Sequence, residues 1–348
     1  MKNAFVRPLH KILPRLELLG HSLVAARAEF EELRQTGLYD CEIEFDQLAA
    51  ALKKLNASEV SSDYADDHDF GEFFFREIVD RLEFNDEAKG KANSRRVGEL
   101  MENLNPWNIL RLVAENPANL DCPVTWYFAD VVDGGWVEES SISANLEPRQ
   151  RFLIVTEGST DAHILAKAFK ILRPEVCDFF YFVDMEEGYP FTGTGNLHRF
   201  CQGLASISIL NNVIVLYDND AEGIAKARET RALRLPNNIR ILQLPDLPEF
   251  RVFSTLGPTG ESVHDINGKA AAIECYLDLL WQEQTSPVVR WTSFNQKVGC
   301  YQGVLINKEA YARRFLGLTR VEPGYDFTRL REVLDLITRE CSRMSAVA

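Results

Sequence analysis

The chain has 348 residues, of which 46% are hydrophobic and 26% are charged. This length and composition predict a globular protein that builds its own cores in two or three domains. The formal net charge of −14 excludes a protein that coats nucleic acid non-specifically, because such binding depends on Lys and Arg. No apolar run is long enough to cross a bilayer, and we therefore predict a cytoplasmic protein without membrane contact.

The first part of the chain, residues 1–145, predicts a mainly helical domain. Segments 22–35 and 45–56 place apolar residues at intervals of three and four, which is typical of amphipathic helices with one face on a core. Acidic residues then cluster at Asp63, Asp66, Asp67 and Asp69. We interpret this cluster as a solvated loop rather than a metal-binding loop, because nothing in the sequence defines the relative geometry of its carboxylates.

From residue 150 the pattern changes to alternating strands and helices. The predicted strands are RFLIVTEG, DFFYFVD, NVIVLYD and NIRILQL, and the predicted helices between them are DAHILAKAFKIL, GNLHRFCQGLASI and AEGIAKARETRAL. Such alternation predicts an α/β fold, with a parallel sheet that carries helices on both faces. We assign this domain to residues 146–285 and a small C-terminal α/β extension to residues 286–348.

Four acidic residues follow the ends of two of these strands. Glu157 closes the first strand and Asp161 comes four residues later, while Asp218 and Asp220 follow the third strand. Ligands of parallel α/β sheets bind at the carboxyl ends of the strands, so these four side chains can meet at one edge. Carboxylates gathered in this way repel one another unless cations neutralise them. Oxygen ligands of this kind suit Mg²⁺ or Mn²⁺.

These motifs resemble a known domain. VTEGSTD followed by LYDNDAEG, with the glycine-bearing turn TGTGN between them, resembles the Toprim domain of topoisomerases, bacterial primases and OLD-type nucleases. The resemblance covers about residues 150–250 and implies a Rossmann-like Toprim sheet. It also implies metal-assisted phosphoryl transfer, with Glu157 as a metal ligand or general acid/base and the Asp218 and Asp220 pair as metal ligands.

The nuclease branch of this family uses further residues beyond the core motifs. Candidates here are Asp265 and Glu274, the latter inside a predicted apolar helical stretch, together with Lys308 near the start of a predicted helix. Lys308 resembles the lysine that OLD-type nucleases place near the phosphate. The alternatives remain open: Glu274 can face solvent, and Lys308 can be an exposed helical lysine.

The rest of the chain resembles longer bacterial proteins described as HEPN/Toprim-associated, which are thought to act in antiphage defence. The HEPN signature is an Arg and a His a few residues apart, and only Arg15 and His21 fit that spacing. Leu16 stands where a polar residue is usual, so we do not predict a second, metal-free RNase site.

Two other features leave alternatives open. Lys226, Arg228, Arg231 and Arg234 follow the second acidic motif and can form either a phosphate-attracting strip or a solvated helix face. Trp126, Trp136 and Trp291 can stack on bases, although burial is the favoured interpretation.

Two functions from different classes fit these observations. The first is a Mg²⁺-dependent Toprim nuclease that cleaves nucleic-acid phosphodiester bonds, DNA or RNA, as a toxic effector in antiphage defence. The second is a non-catalytic Toprim binding or scaffold subunit of a defence complex. A regulatory protein partner and self-association are both compatible with either function.

Overall fold

The structure is a computed structural model that describes residues 4–37, 42–61, 75–84, 94–142, 146–183, 194–207, 209–281 and 286–346. The chain divides into two compact units, one of Met1–Asn145 with Ser345–Ala348 and one of Leu146–Met344. The predicted acidic cluster between Asp63 and Asp69 lies outside the described residues, as does Gly193 of the TGTGN turn. No helix in the described ranges has the length and apolarity needed to cross a membrane.

The N-terminal unit is built mainly from helices. Its elements are β1 (Ala4–Pro8), α1 (Leu9–Leu18), α2 (Leu23–Gln35), α3 (Phe45–Leu52), α4 (Ser94–Glu102), α5 (Pro106–Val113), β2 (Pro123–Tyr127), α6 (Ala129–Asp133) and α7 (Glu139–Ile142). The two helices predicted in this region, α2 and α3, are confirmed. Their apolar faces meet in one core, where Phe30, Leu48 and Leu52 are fully buried. Strands β1 and β2 form an antiparallel pair.

The second unit is an α/β structure. Its elements are β3 (Phe152–Val155), α8 (Ser159–Leu172), β4 (Phe180–Phe182), α9 (Thr194–Ser206), β5 (Val213–Tyr217), β6 (Asn219–Asp220), α10 (Ala221–Arg231), β7 (Ile239–Gln243), β8 (Phe253–Gly257), β9 (Gly260–His264), β10 (Ala270–Ala271), β11 (Val289–Asn295), β12 (Cys300–Leu305), α11 (Lys308–Gly317) and α12 (Thr328–Ser345). Strands β4, β3, β5 and β7 form, in that order, a four-stranded sheet with parallel pairing throughout. The predicted parallel sheet is confirmed.

Helices cover both faces of this sheet because its strands are apolar on both sides. All five residues of β5 are buried, as expected for a strand between two helical layers. Val213, Val215 and Tyr217 pack in one cluster with residues of α9 and α10. On α8, Phe169 lies with its ring centre 4.1 Å from that of Phe180 in β4. Tyr217, which directly precedes the second acidic motif, is thus a core residue.

The order of the strands creates a crevice at one edge of the sheet. The chain passes from β3 to β4 on one side and then crosses to β5 on the other side of β3. The direction of winding therefore reverses between β3 and β5, and ligands of open α/β sheets bind outside the carboxyl ends of such strands. Glu157 follows β3 and Asp218 follows β5, so both acids lie at this crevice.

The segment that precedes Glu274 corrects one prediction. An apolar helical stretch was expected there, but the structure has the short strand β10 followed by a 3₁₀ helix, Ile273–Tyr276. Ala270 and Ala271 pair with Asp220 and Asn219 of β6 in antiparallel fashion. Backbone pairing thus replaces helical hydrogen bonds and brings Glu274 back to the acidic motif.

A second sheet follows, in the order β12, β11, β8 and β9. Its β11–β12 hairpin lies against the start of α10, where Asn295 donates from Nδ2 to the carbonyl oxygen of Ala221 at 3.3 Å. Lys297 forms a 2.6 Å ion pair with Glu229 on the same helix. The hairpin therefore supports the helix that begins at the second acidic motif.

Candidate functional site

A cleft of about 630 Å³ opens at the carboxyl edge of the parallel sheet. Five acidic residues line it, namely Glu157, Asp161, Asp218, Glu274 and, on α11, Glu309. Helix α11 forms the opposite wall with a face that includes Lys308 and Arg313. The cleft thus combines a carboxylate floor with a wall that carries two basic side chains.

Glu157 and Asp161 are held by the loop between β3 and α8. Glu157 Oε1 accepts a 3.0 Å hydrogen bond from the backbone N–H of Asp218, which ties the ends of β3 and β5 together. Asp161 lies in the first turn of α8, where its Oδ2 accepts from the N–H of Gly158 at 3.0 Å. This is a helix-capping contact, and it orients the Asp161 carboxylate at the cleft.

Asp218 and Asp220 are held by different partners. Asp218 Oδ1 accepts from the N–H of Ile273 at 3.2 Å, a contact that joins it to the segment carrying Glu274. Asp220 immediately precedes α10 and caps it, because its Oδ1 accepts from the N–H of Gly223 at 2.7 Å. The second oxygen of Asp220 accepts from Nε2 of Gln302. Asp220 is not among the lining residues of the cleft, but it lies close enough to Glu157 to raise the pKa of that carboxyl group.

Glu274 and Lys308 meet inside the cleft. Glu274 is 4% exposed, so the solvent-facing alternative considered from the sequence is wrong. Its Oε1 lies 3.6 Å from Nζ of Lys308, the first residue of α11. The lysine side chain retains 41% of its exposure and lines the cleft, which differs from a fully solvated helical lysine.

Asp265 lies elsewhere. Its Oδ1 accepts 2.9 Å hydrogen bonds from the backbone N–H and from Nδ2 of Asn267, so the side chain organises its own turn. It is not among the residues that line the cleft. Of the seven candidate residues from the sequence, the structure therefore brings five to the cleft, places Asp220 beside them and separates Asp265 from them.

Burial and mutual repulsion raise the pKa values of the carboxyl groups at this site. Burial raises the pKa of Glu157 well above its ordinary value, and repulsion from Asp220 adds to this effect. Burial and repulsion from Glu274 raise the pKa of Asp161 to about 7. Burial also raises the pKa of Asp218 strongly, with repulsion from Asp161 and Glu157 as further causes. Burial raises the pKa of Asp220, although hydrogen bonds from Gly223 and Gln302 oppose it.

The chemistry of these donors fits a divalent cation. Carboxylate oxygens are the ligands that Mg²⁺ and Mn²⁺ prefer, and a cation would relieve the repulsion that adds to the effect of burial on these pKa values. As they stand, however, the side chains of the described residues include no group of three or more His, Cys, Asp or Glu that could hold a metal ion. The cleft therefore has suitable donors without a complete ligand set already in place.

Gln302 is one residue at this site that sequence reasoning missed. Its Oε1 accepts from the backbone N–H of Glu222 at 3.0 Å, while its Nε2 donates to the carboxylate of Asp220. Gln302 lies in β12, 82 residues after Asp220, and no local pattern connects the two. Only the docking of the β11–β12 hairpin on α10 brings them together.

Gly223 has a packing role at the acidic motif, and this yields a test of the local structure. A Cβ at this position would collide with the carbonyl oxygen of Asp218 and lie 3.1 Å from Oε1 of Glu157. We expect Gly223→Ala to destabilise the protein by about 1–3 kcal/mol, because the added methyl must displace a strand end. Urea unfolding measures this change.

Gly203 provides the matched control, since it lies in α9 with open space around its Cβ position. Gly203→Ala should be neutral or stabilise by about 0.5–1 kcal/mol, because alanine is the better helix residue. Equal stability of Gly223→Ala and the wild-type protein would contradict the packing argument.

The structure shows how exposed the basic residues of α10 and the tryptophans are, which the sequence left open. On α10, Lys226 is paired with Glu229 at 2.8 Å, whereas Arg228 and Arg231 are exposed. Burial is wrong for Trp126 and Trp136, which are 50% and 84% exposed, whereas Trp291 is partly buried.

Arg15 and His21 lie in the N-terminal unit, where both line a pocket of about 250 Å³. The pocket is mainly apolar and includes Trp107 and Trp126 in its wall. His21 Nδ1 lies 3.1 Å from Oδ1 of Asn108. The residues with HEPN-like spacing are thus close together in space as well as in sequence.

The fold and the cleft define an α/β protein with clustered carboxylates at the switch point of a four-stranded parallel sheet. Residues 1–150 match the family model described as HEPN/Toprim N-terminal domain 1. This match supports a HEPN/Toprim-associated protein, and it covers less than half of the chain. No curated protein and no solved structure matches the chain.

Proposed function

We propose that this protein is a Mg²⁺-dependent Toprim nuclease that cleaves nucleic-acid phosphodiester bonds as a toxic effector in antiphage defence. The observation that carries the proposal is the cleft in which Glu157, Asp161, Asp218 and Glu274 face Lys308. The acids follow the strands in the order of the Toprim motifs, and the N-terminal match to a HEPN/Toprim domain is consistent with that assignment.

In this proposal the carboxylates hold the cation. Glu157, Asp161, Asp218 and Asp220 would bind Mg²⁺ or Mn²⁺, and Glu274 is an additional donor on the same cleft. When bound, the cation supplies Lewis-acid stabilisation of the charge that develops on the phosphodiester.

Lys308 contributes a positive charge on the other side of the cleft. Burial alone would lower its pKa, but Glu274, Asp218 and Asp161 outweigh that effect and raise the pKa. The side chain is therefore protonated at neutral pH, and it can bind a non-bridging phosphate oxygen. Glu157 lies on the same cleft, and it is the candidate general acid/base in the alternative arrangement in which it does not bind the cation.

A binding or scaffold subunit of a defence complex is the second candidate. It is favoured by the finding that no described group of three or more potential ligands could hold a metal as it stands. In that function the same cleft would bind a phosphate-bearing partner without cutting it.

The experiment that separates the two uses purified protein with labelled DNA and with total RNA. Each is incubated with Mg²⁺, with Mn²⁺ and with a chelator, alongside the Asp218→Asn variant. Metal-dependent cutting that the variant lacks would support the nuclease and name its substrate. Binding of nucleic acid without cutting under all conditions would favour the scaffold function.

Gln302 offers a test of the proposed metal site through a residue that does not itself carry charge. We expect Gln302→Leu to weaken Mg²⁺ binding by about 10- to 100-fold, because groups that orient a metal ligand typically have effects of this size. Isothermal titration calorimetry measures the change.

Asn295→Ala is the matched control for Gln302→Leu. It removes the hydrogen bond from Asn295 to the carbonyl oxygen of Ala221, which is another contact between the hairpin and the start of α10. This contact involves no carboxylate of the site. Equal loss of Mg²⁺ affinity in both variants would contradict this expectation. The loss would then come from weaker docking of the hairpin on α10 and not from the missing hydrogen bond to Asp220.

A further inference from the structure

Helix α11 forms one wall of the cleft, and it carries charged side chains at several positions along the helix axis. Its lining residues are Lys308, Glu309, Ala312, Arg313 and Leu316. Lys308 and Arg313 lie at the two edges of this face, since five residues correspond to about 140° around a helix of 3.6 residues per turn. The small side chain of Ala312 lies between them along the chain. The wall therefore presents two long basic side chains at its edges, with Ala312, Leu316 and the acidic Glu309 between them.

The two cations differ in their surroundings. Lys308 is drawn to the carboxylate floor, with Nζ 3.6 Å from Glu274. Arg313 is exposed and lies further along the helix, where Glu309 one turn earlier is the neighbouring acid on the same wall. An exposed guanidinium on the rim of an acidic cleft can make two parallel hydrogen bonds to one phosphate group.

The spacing of the two residues favours a polymer over a mononucleotide. Five residues of α-helix rise about 7.5 Å and turn through about 140°, so the cationic ends of the two side chains diverge and suit two different phosphates better than one. A single phosphate at the carboxylate floor would use Lys308 and leave Arg313 without a role in recognition.

We propose that Arg313 binds the phosphate next to the one at Lys308, so that α11 guides one strand of nucleic acid across the cleft. This inference rests on the proposed function and adds to it the class of substrate, a nucleic-acid strand with at least two successive phosphates. Arg313 is a substrate-binding residue in this arrangement and does not take part in bond cleavage.

The test measures binding separately from cutting. The full chain with Asp218→Asn is titrated against fluorescein-labelled oligothymidylate and oligouridylate by fluorescence anisotropy, over a series of salt concentrations. Adding Arg313→Ala should weaken binding roughly tenfold at low salt. It should also reduce the slope of log K against log salt by about 0.7, the value for one phosphate contact with a single strand. Arg313→Lys should keep the slope, because the charge remains.

Arg320→Ala is the matched control, since this exposed arginine carries the same charge and is not among the residues that line the cleft. Arg228→Ala tests the basic face of α10 as the competing path for the strand. An unchanged slope in Arg313→Ala, an equal loss in Arg320→Ala or Arg228→Ala, or no binding of either oligonucleotide would overturn the inference.

The failure of this inference can be told apart from failure of the proposed function. Cutting by the wild-type chain that Arg313→Ala leaves unchanged, in rate and in apparent affinity, removes the inference and keeps the nuclease. An Arg313-dependent salt slope without cutting keeps the strand contact and removes the nuclease.

Discussion

Asp218→Asn should abolish metal-dependent cleavage while the protein stays folded. Asp218 lines the cleft and lies against Glu157, so the loss of its charge removes a central donor from the proposed cation site. Electrostatic groups at such positions account for at least about 10²-fold in rate, and we expect a loss of that size or more. Single-turnover cleavage of the substrate identified with the wild-type protein measures it.

Asp265→Asn is the matched control for this variant, because it removes an equal charge from a residue outside the cleft. It should retain wild-type cleavage. That result would also show that Asp265, which was a candidate metal ligand from the sequence, is not needed for the reaction. Full activity of Asp218→Asn would refute the assignment of the cleft as the catalytic site. Circular dichroism and thermal unfolding of both variants exclude loss of the fold as the cause.

The stability of the metal-free protein should fall as pH rises from about 5 to 8. Glu157, Asp161 and Asp218 have pKa values raised in the folded state, to about 7 for Asp161, whereas unfolded carboxyl groups titrate near pH 4. The folded state therefore binds more protons than the unfolded state in this window. The contribution of this extra proton binding to the free energy of unfolding is complete below about pH 4. It is lost as pH rises through the pKa values of the folded state.

Mg²⁺ should reverse this loss. A cation that binds only the folded state stabilises it, by about 2.7 kcal/mol at a concentration 100 times its Kd. Protons compete for the same carboxylates, so Mg²⁺ should raise Tm more at pH 8 than at pH 5. Thermal unfolding at both pH values, with Mg²⁺ and with chelator, measures the two effects together.

Asp218→Asn isolates the cleft from the other acids of the chain. Glu77 and Glu229 have lowered pKa values, because hydrogen bonds from Ser61 and Lys226 respectively stabilise their charged forms, and they influence stability in the opposite direction at acid pH. The variant should be more stable than the wild-type protein at pH 8 without metal, since one repelled carboxylate is gone. A wild-type protein whose stability is constant or rises between pH 5 and 8 would contradict the electrostatic account of the cleft.

The amino-acid sequence by itself determined the elements that carry the acids. The apolar runs at β3 and β5 and the helical intervals of α8 and α10 are local patterns, and the structure has these elements close to where the patterns predict them. The position of the acids at strand ends is likewise readable from the chain. Parallel strands end at the same edge of a sheet, so the meeting of Glu157 and Asp218 follows from topology without any knowledge of side-chain packing.

Only the tertiary structure decided which distant residues complete the cleft. Glu274 is buried there because β10 pairs with β6, and Gln302 reaches Asp220 because the β11–β12 hairpin docks on α10. Asp265 lies within the same stretch as Glu274, yet it turns to Asn267 instead. These choices depend on contacts between segments about 50 to 80 residues apart. The periodicity of a segment reports its own burial pattern and carries no information about which distant segment will cover it.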